Sequence, residues 1–386
     1  MNPSDAFCAL RCTATGEELP ADPTRTGPSE AGAPVDPVYD LAHVDWDHAD
    51  LADARSMWDF AALLPFESGV SADEGGTPLV DAPALADELG VDSLHIKDEG
   101  RNPTGTVLDR GLSLAVTAAS AADADLLAHA SPGNSGQSGA AYAGRADIRS
   151  YAFVPSRAPF PNKAMTNVHG GDMRVAGGRY PDAVEALHTQ LKSEWFTLQE
   201  FDNPVRHEGY KTVAYELVGQ AGVPDAVFVP ASTGEVVYGL TKGFRELHEL
   251  GLVDDLPRII AVQPTGCAPI ATAFESGREV EAWNQPDTIV GELEIPDPRG
   301  GDLVREAVEG TDGRVVTVDD DAILGSAVAA AQTTAVDVGA AGGAAFAAAD
   351  GLQDEFDDDA RLVVVNTEAG VKTADILRSH LMGQGI

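Results

Sequence analysis

Short apolar stretches rich in β-branched residues alternate with longer segments of helical periodicity along most of this chain. In the first half the pattern predicts strands at 93–97, 126–130, 150–154 and 173–176, and helices at 112–122, 137–145 and 182–191. In the second half it predicts strands at 226–229, 258–262 and 362–365, and helices at 236–250 and 321–331. Repeated β-α-β units of this kind build a parallel sheet with helices on both faces. The sequence therefore predicts an α/β fold.

The first 60 residues follow a different pattern. They are rich in Pro, Asp and Gly and have few periodic apolar positions, which predicts an irregular N-terminal extension with one short helix near 56–64. Cys8 and Cys12 are spaced C-x3-C, as in half of a zinc knuckle, but no second pair follows in the next forty residues. Because a structural zinc site needs about four ligands, we expect no metal there.

Composition narrows the classes of function. With 44% hydrophobic residues over 386 positions, the chain can bury a substantial core. Its 62 acidic and 25 basic residues give a net charge of -37, which is typical of a salt-adapted surface; an ordinary acidic protein is the alternative. Such a surface repels phosphate backbones, so we expect no nucleic-acid partner. No apolar run approaches the ~20 residues of a membrane span, and the N-terminus lacks signal-peptide features, so the sequence predicts a cytoplasmic protein without a membrane partner.

Four polar loops each follow a predicted strand. They are Asn102-Pro-Thr-Gly-Thr-Val-Leu-Asp-Arg-Gly111, Ser131-Pro-Gly-Asn-Ser-Gly-Gln137, Pro230-Ala-Ser-Thr-Gly-Glu-Val236 and Asn366-Thr-Glu-Ala-Gly-Val-Lys372. Ligands of open α/β sheets bind at the carboxyl ends of the strands. We therefore expect these loops to line one site.

These loops, in this order and together with Gly75-Gly-Thr-Pro-Leu79 and Ile96-Lys-Asp-Glu-Gly100, resemble the threonine synthase branch of the fold-type-II pyridoxal-phosphate enzymes. The resemblance implies a two-lobed α/β architecture with parallel sheets and helices on both faces. A larger lobe would comprise 61–109 and 206–386, and a smaller lobe 110–205, with the site between them. It also implies pyridoxal phosphate as cofactor and a homodimer, whereas a diverged member of the family would instead associate with an active paralogue.

One position departs from the family at the centre of its chemistry. The family motif reads Asn-Pro-Thr-Gly-Ser-Phe-Lys-Asp-Arg-Gly, and its lysine forms the Schiff base with the cofactor. Here Leu108 occupies that position. A leucine side chain has no amine, so it cannot hold the cofactor or move protons afterwards. The sequence thus offers no certain catalytic residue, and Lys97, at the end of a predicted strand, is the candidate substitute.

The resemblance also assigns contacts. It implies cofactor contacts by Asn134 (pyridoxal 3-oxygen), Ser232, Thr233 and Gly234 (phosphate loop) and Thr367 (pyridine nitrogen), and substrate contacts by Thr104, Ser131, Gly133, Ser135 and Gln137. Two loops depart from the family pattern. The phosphate loop lacks two glycines and an asparagine and contains Glu235, whose carboxylate would repel a phosphate dianion. Glu368-Ala369 replaces a Gly-His pair.

Structural explanations of the same residues stay open. Ser135, and Ser232 or Thr233, could be helix caps, and the loop after 362–365 could be a turn that closes the sheet. With these losses, we expect a diverged ligand-binding or regulatory homologue of threonine synthase, with pyridoxal phosphate as a possible cofactor and a small amino acid or anion as ligand. The alternative is an active threonine synthase or related lyase that acts on O-phosphohomoserine or a similar amino acid through an altered site.

Overall fold

The computed structural model describes residues 1–383. Its strands are β1 Phe7–Cys12, β2 Glu18–Leu19, β3 Val35–Tyr39, β4 Leu79–Asp81, β5 Ser93–Asp98, β6 Leu126–Ala130, β7 Arg149–Val154, β8 Asp172–Val175, β9 Phe196–Thr197, β10 Ala226–Pro230, β11 Arg258–Pro264, β12 Arg314–Val318 and β13 Arg361–Asn366. Its α-helices are α1 His48–Asp53, α2 Pro83–Leu89, α3 Leu108–Ala121, α4 Asn134–Arg145, α5 Phe160–Val168, α6 Tyr180–Gln190, α7 Glu208–Ala221, α8 Glu235–Glu249, α9 Pro269–Ser276, α10 Gly301–Glu309, α11 Asp320–Thr334, α12 Ala340–Gly351 and α13 Ala374–Leu381.

Two sheets carry the α/β part of the chain. The larger has the order β12-β11-β10-β13-β5-β4, and all its neighbours are parallel except β4, which runs antiparallel to β5. The smaller has the order β8-β7-β6-β9 and is parallel throughout. All four strands of the smaller sheet lie within 126–197, inside the range that the sequence predicts for the smaller lobe. The predicted α/β fold with helices around parallel sheets is confirmed.

Alternation along β10 places helices on both faces of the larger sheet. Val227 and Val229 pack into a core shared with α7 and α8, whereas Phe228 packs into a second core shared with α11 and α12. Because successive strand residues point to opposite faces, a strand covered on both sides reads as a continuous apolar run. This is the reason that the central strands could be predicted from sequence.

The N-terminal segment is more ordered than the sequence predicts. β1, β2 and β3 form an antiparallel sheet of order β2-β1-β3, α1 follows it, and a 3₁₀ helix spans Met57–Leu63 where one short helix is predicted. The strands were missed because one of them is two residues long and β3 contains Pro37, which occurs mainly on edge strands. Among residues 1–383, no helix is long and apolar enough to cross a membrane.

Candidate functional site at the carboxyl ends of the parallel strands

The four predicted loops meet around a small cavity. Its volume is about 50 Å³, and its walls include Leu108, Asn134, Ser232 and Thr367, one residue from each loop. The remaining wall residues are Thr106, Val107, Pro132, Pro230, Val236, Glu292, Leu293 and Ala341. The arrangement follows from the sheet topology, since β10 and β13 are parallel neighbours that end at the same edge. Larger hollows exist, including one of about 430 Å³ beside α9, but they contain none of these loop residues.

Leu108 is the first residue of α3 and is held by backbone contacts to the loop after β13. The N–H of Val107 donates to the carbonyl of Thr367 at 2.9 Å, and Thr106 forms an isolated antiparallel bridge with Glu368. The Leu108 side chain is partly buried and contacts apolar residues of both the larger and the smaller lobe. At the position that the resemblance assigns to the lysine, the chain thus has an apolar contact between the two lobes.

A buried ion-pair network is centred on Arg110, two residues after Leu108. The guanidinium of Arg110 donates to both carboxylate oxygens of Glu99, each at 2.7 Å, and to those of Glu216 at 2.6 and 2.8 Å. The Lys97 ammonium donates to Glu216 at 2.6 Å, to the Thr77 carbonyl at 2.8 Å and to the Gln220 amide oxygen at 3.0 Å. Burial lowers the pKa of Lys97, and Glu216 partly offsets this. Lys97 is therefore a fully bonded member of the network and is not among the residues that line the cavity.

The predicted asparagine loop caps α4. The hydroxyl of Ser131 accepts from the N–H groups of Gly133 at 3.0 Å and Gly136 at 2.7 Å, and from the Ser135 hydroxyl at 2.8 Å. Ser131, and not Ser135, thus satisfies the start of the helix. Asn134 turns its amide nitrogen to the Glu368 carboxylate and donates to it. These contacts use donors that the resemblance assigns to a cofactor or a substrate.

Two further predicted substrate residues lie in an internal hydrogen-bond chain. Thr104 donates from its hydroxyl and its backbone N–H to Asp109, both at 2.6 Å, and Gln137 accepts from Lys372 at 2.8 Å. Lys372 also donates to Asn162 at 3.1 Å. Burial lowers the pKa of Lys372 and raises that of Asp109 to about 6. Lys372 is thus buried next to Gln137.

The predicted phosphate loop connects β10 to α8. Ser232 and Thr233 are partly buried, and Gly234, with φ of +85°, precedes the first helical residue without a side-chain cap, so neither hydroxyl caps the helix. The predicted repulsion by Glu235 needs correction. Its carboxylate lies 3.1 Å from Nε of Arg206, and both groups are buried. The carboxyl group thus lies beside a guanidinium in the core, where burial raises its pKa and Arg206 partly offsets this.

Two buried carboxyl groups were not assigned by sequence to any site role. Glu292, which lines the cavity, is 6% exposed, and neither of its carboxylate oxygens has a hydrogen-bond partner among residues 1–383. Burial, and then the neighbouring Glu368 carboxylate, raise the pKa of Glu292 to about 8. Burial also raises the pKa of Glu368. No periodicity or motif marks Glu292, whereas the Glu368 position was noticed only as a departure from the family pattern.

Cys8 and Cys12, the pair with zinc-knuckle spacing, lie in different environments. Cys8 is exposed and Cys12 is buried, with its thiol donating to Ser29 at 3.1 Å. Within residues 1–383, the only set of three potential metal-ligating side chains that lie close together is Asp36, His207 and Glu208. The ammonium of Lys242 lies 3.0 Å from Asp36 and 2.7 Å from Glu208. A protein cation thus already neutralises these carboxylates.

Comparisons with known proteins identify the family. Residues 70–368 match the family model described as pyridoxal-phosphate dependent enzyme. The threonine synthase of Methanosarcina acetivorans is 32% identical over 321 residues, which cover 82% of this chain and 79% of that protein. The threonine synthase of Mycobacterium tuberculosis is 34% identical over 289 residues, 74% of this chain and 77% of that protein.

Solved structures agree at the level of the fold. An L-serine ammonia-lyase from Rhizomucor miehei superimposes with a TM-score of 0.68 at 19% identity and covers 78% of this chain and 97% of its own. A threonine deaminase from Solanum lycopersicum gives a TM-score of 0.65 at 20% identity, with 78% and 86% covered. With a family model that matches most of the chain and threonine synthases among its relatives, this protein belongs to the pyridoxal-phosphate-dependent enzyme family.

Proposed function

We propose that this protein is a diverged homologue of threonine synthase that has lost lysine-based pyridoxal-phosphate catalysis and acts as a ligand-binding or regulatory protein. The feature that carries the proposal is Leu108, the first residue of α3, which the resemblance places at the position of the family's Schiff-base lysine. Its side chain packs against apolar groups of both lobes. An apolar side chain there supplies neither an amine for the cofactor nor a base for its reactions.

The other cavity residues also fit pyridoxal phosphate poorly. The cofactor carries a phosphate dianion, but the cavity contains the unpaired carboxyl group of Glu292, and Asn134 is bonded to the Glu368 carboxylate. An ionised carboxylate near a phosphate is repulsive in a medium of low dielectric constant, and the protonated form of Glu292, which is favoured below its pKa of about 8, adds no positive charge to hold a phosphate. The cavity volume of about 50 Å³ is also well below the roughly 300–1,000 Å³ of sites that enclose small organic ligands. The cavity thus has no lysine amine beside it, fewer free hydrogen-bond donors and less volume than pyridoxal phosphate requires.

The scaffold around the missing amine is retained. Arg110, two residues after Leu108, keeps four hydrogen bonds to two buried carboxylates. A buried charge left without its partner destabilises a protein by several kcal/mol, so the loss of any one member of this network would lower the stability of the fold. A maintained fold around an altered centre supports a role in binding or regulation. We also propose a cytoplasmic, salt-adapted protein that acts as a homodimer or with an active paralogue, in keeping with the net charge of -37.

Phosphate release from O-phosphohomoserine tests the proposal. The purified chain is assayed in molar salt with added pyridoxal phosphate, and a salt-tolerant threonine auxotroph that expresses it is grown without threonine. A threonine synthase relative provides the positive control in the same host. The proposal predicts neither phosphate release nor growth. Turnover by the wild-type chain that depends on added pyridoxal phosphate would overturn it.

One observation favours the second candidate, an active lyase with an altered site. Lys372 is a buried amine beside Gln137, and burial lowers its pKa, as is typical of lysines that act as nucleophiles. The assay above distinguishes the two functions when it is repeated with Lys372→Met. Turnover that this substitution abolishes, while Lys97→Met keeps it in a folded protein, would assign the chemistry to Lys372.

A further inference from the structure

Hydrogen-bond acceptors without donors line the cavity beside Leu108. Both carboxylate oxygens of Glu292 and the amide oxygen Oδ1 of Asn134 are buried and have no partner among the described residues. Glu292 and Asn134 are each only 6% exposed. Both side chains contribute to the wall of the same cavity. Because buried polar groups are normally satisfied, three unsatisfied acceptor atoms around one cavity indicate a ligand that donates hydrogen bonds.

The orientation of Asn134 supports this assignment. Its amide nitrogen donates to the Glu368 carboxylate. The reversed amide would place its oxygen against the Glu368 carboxyl group and lose a hydrogen bond to a negatively charged acceptor. The contact with Glu368 therefore leaves the amide oxygen as the atom without a partner. Two independent elements, α4 and the 3₁₀ helix Gly291–Leu293, each contribute one of these side chains to the wall of the same cavity.

We propose that the cavity binds a small protonated primary amine with a short aliphatic body. This inference rests on the proposed function, since it assigns a ligand to a site that pyridoxal phosphate does not occupy. An ammonium group has three N–H donors and a positive charge, which match a carboxylate and an amide oxygen. Val107, Leu108 and Leu293 offer apolar surface for the aliphatic part. A simple alkylamine and the amino group of a small amino acid share this chemistry.

A metal ion or an anion fits the same residues less well. Divalent metals take about four to eight ligands, whereas the unpaired acceptors belong to two side chains, and no set of three close metal-ligating side chains is found here among residues 1–383. An anion would face Glu292 and Glu368. Ionisation of Glu292 would therefore be favoured by a bound cation and opposed by a bound phosphate.

Amine binding has a defined pH dependence. The charged groups that act on Glu292 are Glu368 and Asp375, which raise its pKa, and Lys372, which lowers it; burial dominates, and the resulting pKa is about 8. A protonated amine binds best to the ionised carboxylate, so binding below this pKa must release a proton. The affinity should therefore increase with pH by up to about tenfold for each pH unit below 8 and level off above it.

Calorimetry with propylammonium chloride tests the inference. The full-length protein is titrated in molar sodium chloride at pH 6, 7 and 8, with total salt held constant. We expect saturable binding that strengthens with pH. Glu292→Gln should weaken it at least about tenfold, whereas Glu279→Gln, which removes the same charge from an exposed position, should leave it unchanged. Absence of saturable binding to the wild type at pH 8 would overturn the inference.

Matched ligands identify the recognised chemistry. Tetramethylammonium carries the same charge without N–H donors, and we expect no binding; equal binding of both cations would overturn the hydrogen-bond assignment. Alanine distinguishes the sources, since tighter binding of alanine than of propylammonium assigns the site to amino acids, and weaker binding assigns it to simple amines. A parallel titration with pyridoxal phosphate separates the two levels. Tight pyridoxal-phosphate binding that gives a lysine adduct after borohydride reduction defeats the proposed function. Absence of binding of both propylammonium and pyridoxal phosphate defeats only the amine site.

Discussion

Replacement of Glu292 by glutamine should remove a large part of the pH dependence of stability near neutrality. Glu292 is buried without a hydrogen-bond partner among the described residues, and its pKa is raised from 4.5 to about 8. The folded protein therefore holds this proton more tightly than the unfolded chain does. The stabilising contribution is complete below about pH 4.5 and is lost as pH rises through 8. Glutamine stays neutral at every pH, so the stability of Glu292→Gln does not fall in this way as pH rises.

The size of the effect follows from the pKa. A change from 4.5 to about 8 corresponds to roughly 5 kcal/mol of unfolding free energy over the full range, of which about 3 kcal/mol falls between pH 6 and pH 9. The group is almost fully buried, so solvent screening reduces this little. The unfolding free energy of Glu292→Gln minus that of the wild type should thus be about 3 kcal/mol larger at pH 9 than at pH 6.

Urea unfolding in molar salt at pH 6, 7, 8 and 9 measures this difference, with circular dichroism as the probe. Glu279→Gln is the control, since it removes an exposed carboxylate and should follow the wild type at every pH. If the curves of Glu292→Gln and the wild type stay parallel from pH 6 to pH 9, Glu292 does not carry a raised pKa. The charge argument for the cavity would then fail.

Three further outcomes are expected. Arg110→Met removes the guanidinium that pairs Glu99 and Glu216 and leaves only Lys97 beside Glu216, so it should lower the free energy of unfolding by about 3–5 kcal/mol. Arg11→Met, which removes an exposed pair with Glu18, should change it by less than about 1 kcal/mol; urea unfolding measures both. Leu108→Lys places an amine in the cavity and should abolish propylammonium binding in calorimetry; unchanged affinity would place the amine elsewhere. The net charge of -37 predicts a thermal midpoint that rises from 0.1 M to about 1 M salt, and a midpoint independent of salt would refute the salt-adapted surface.

Much of the fold was predictable because buried parallel strands produce an unambiguous pattern. β10, β11 and β13 are covered on both faces, so each reads as an apolar run. β12 was missed because it is partly exposed, with the polar residues Arg314 and Thr317 within five positions. The helices α3 and α4 begin three to four residues earlier than predicted, at Leu108 and Asn134. Their first turns contain polar loop residues, which obscured the helical period.

The candidate site was predictable only in outline. The loops after β10 and β13 were expected to meet because these parallel neighbours end at one edge of the larger sheet. The loop after β6, in the smaller sheet, lines the same cavity. Leu108 itself was evident from the motif that surrounds it. Glu292 could not be found, since it lies in a 3₁₀ helix of three residues, Gly291–Leu293, which has no sequence periodicity and reaches the cavity through tertiary packing. The burial of Lys372 beside Gln137 was hidden for the same reason, because 235 positions separate the two residues.

The reaction of the purified protein with pyridoxal phosphate tests the central claim most directly. The protein is incubated with the cofactor in molar salt, its visible absorption spectrum is recorded, and borohydride reduction is followed by peptide mass mapping. We expect neither the absorption band of a protein Schiff base nor a reduced adduct on any lysine, because the proposal places Leu108 where the family has its amine. A stoichiometric adduct on Lys372, Lys97 or any other lysine would contradict this account and show that the cofactor chemistry persists on another residue.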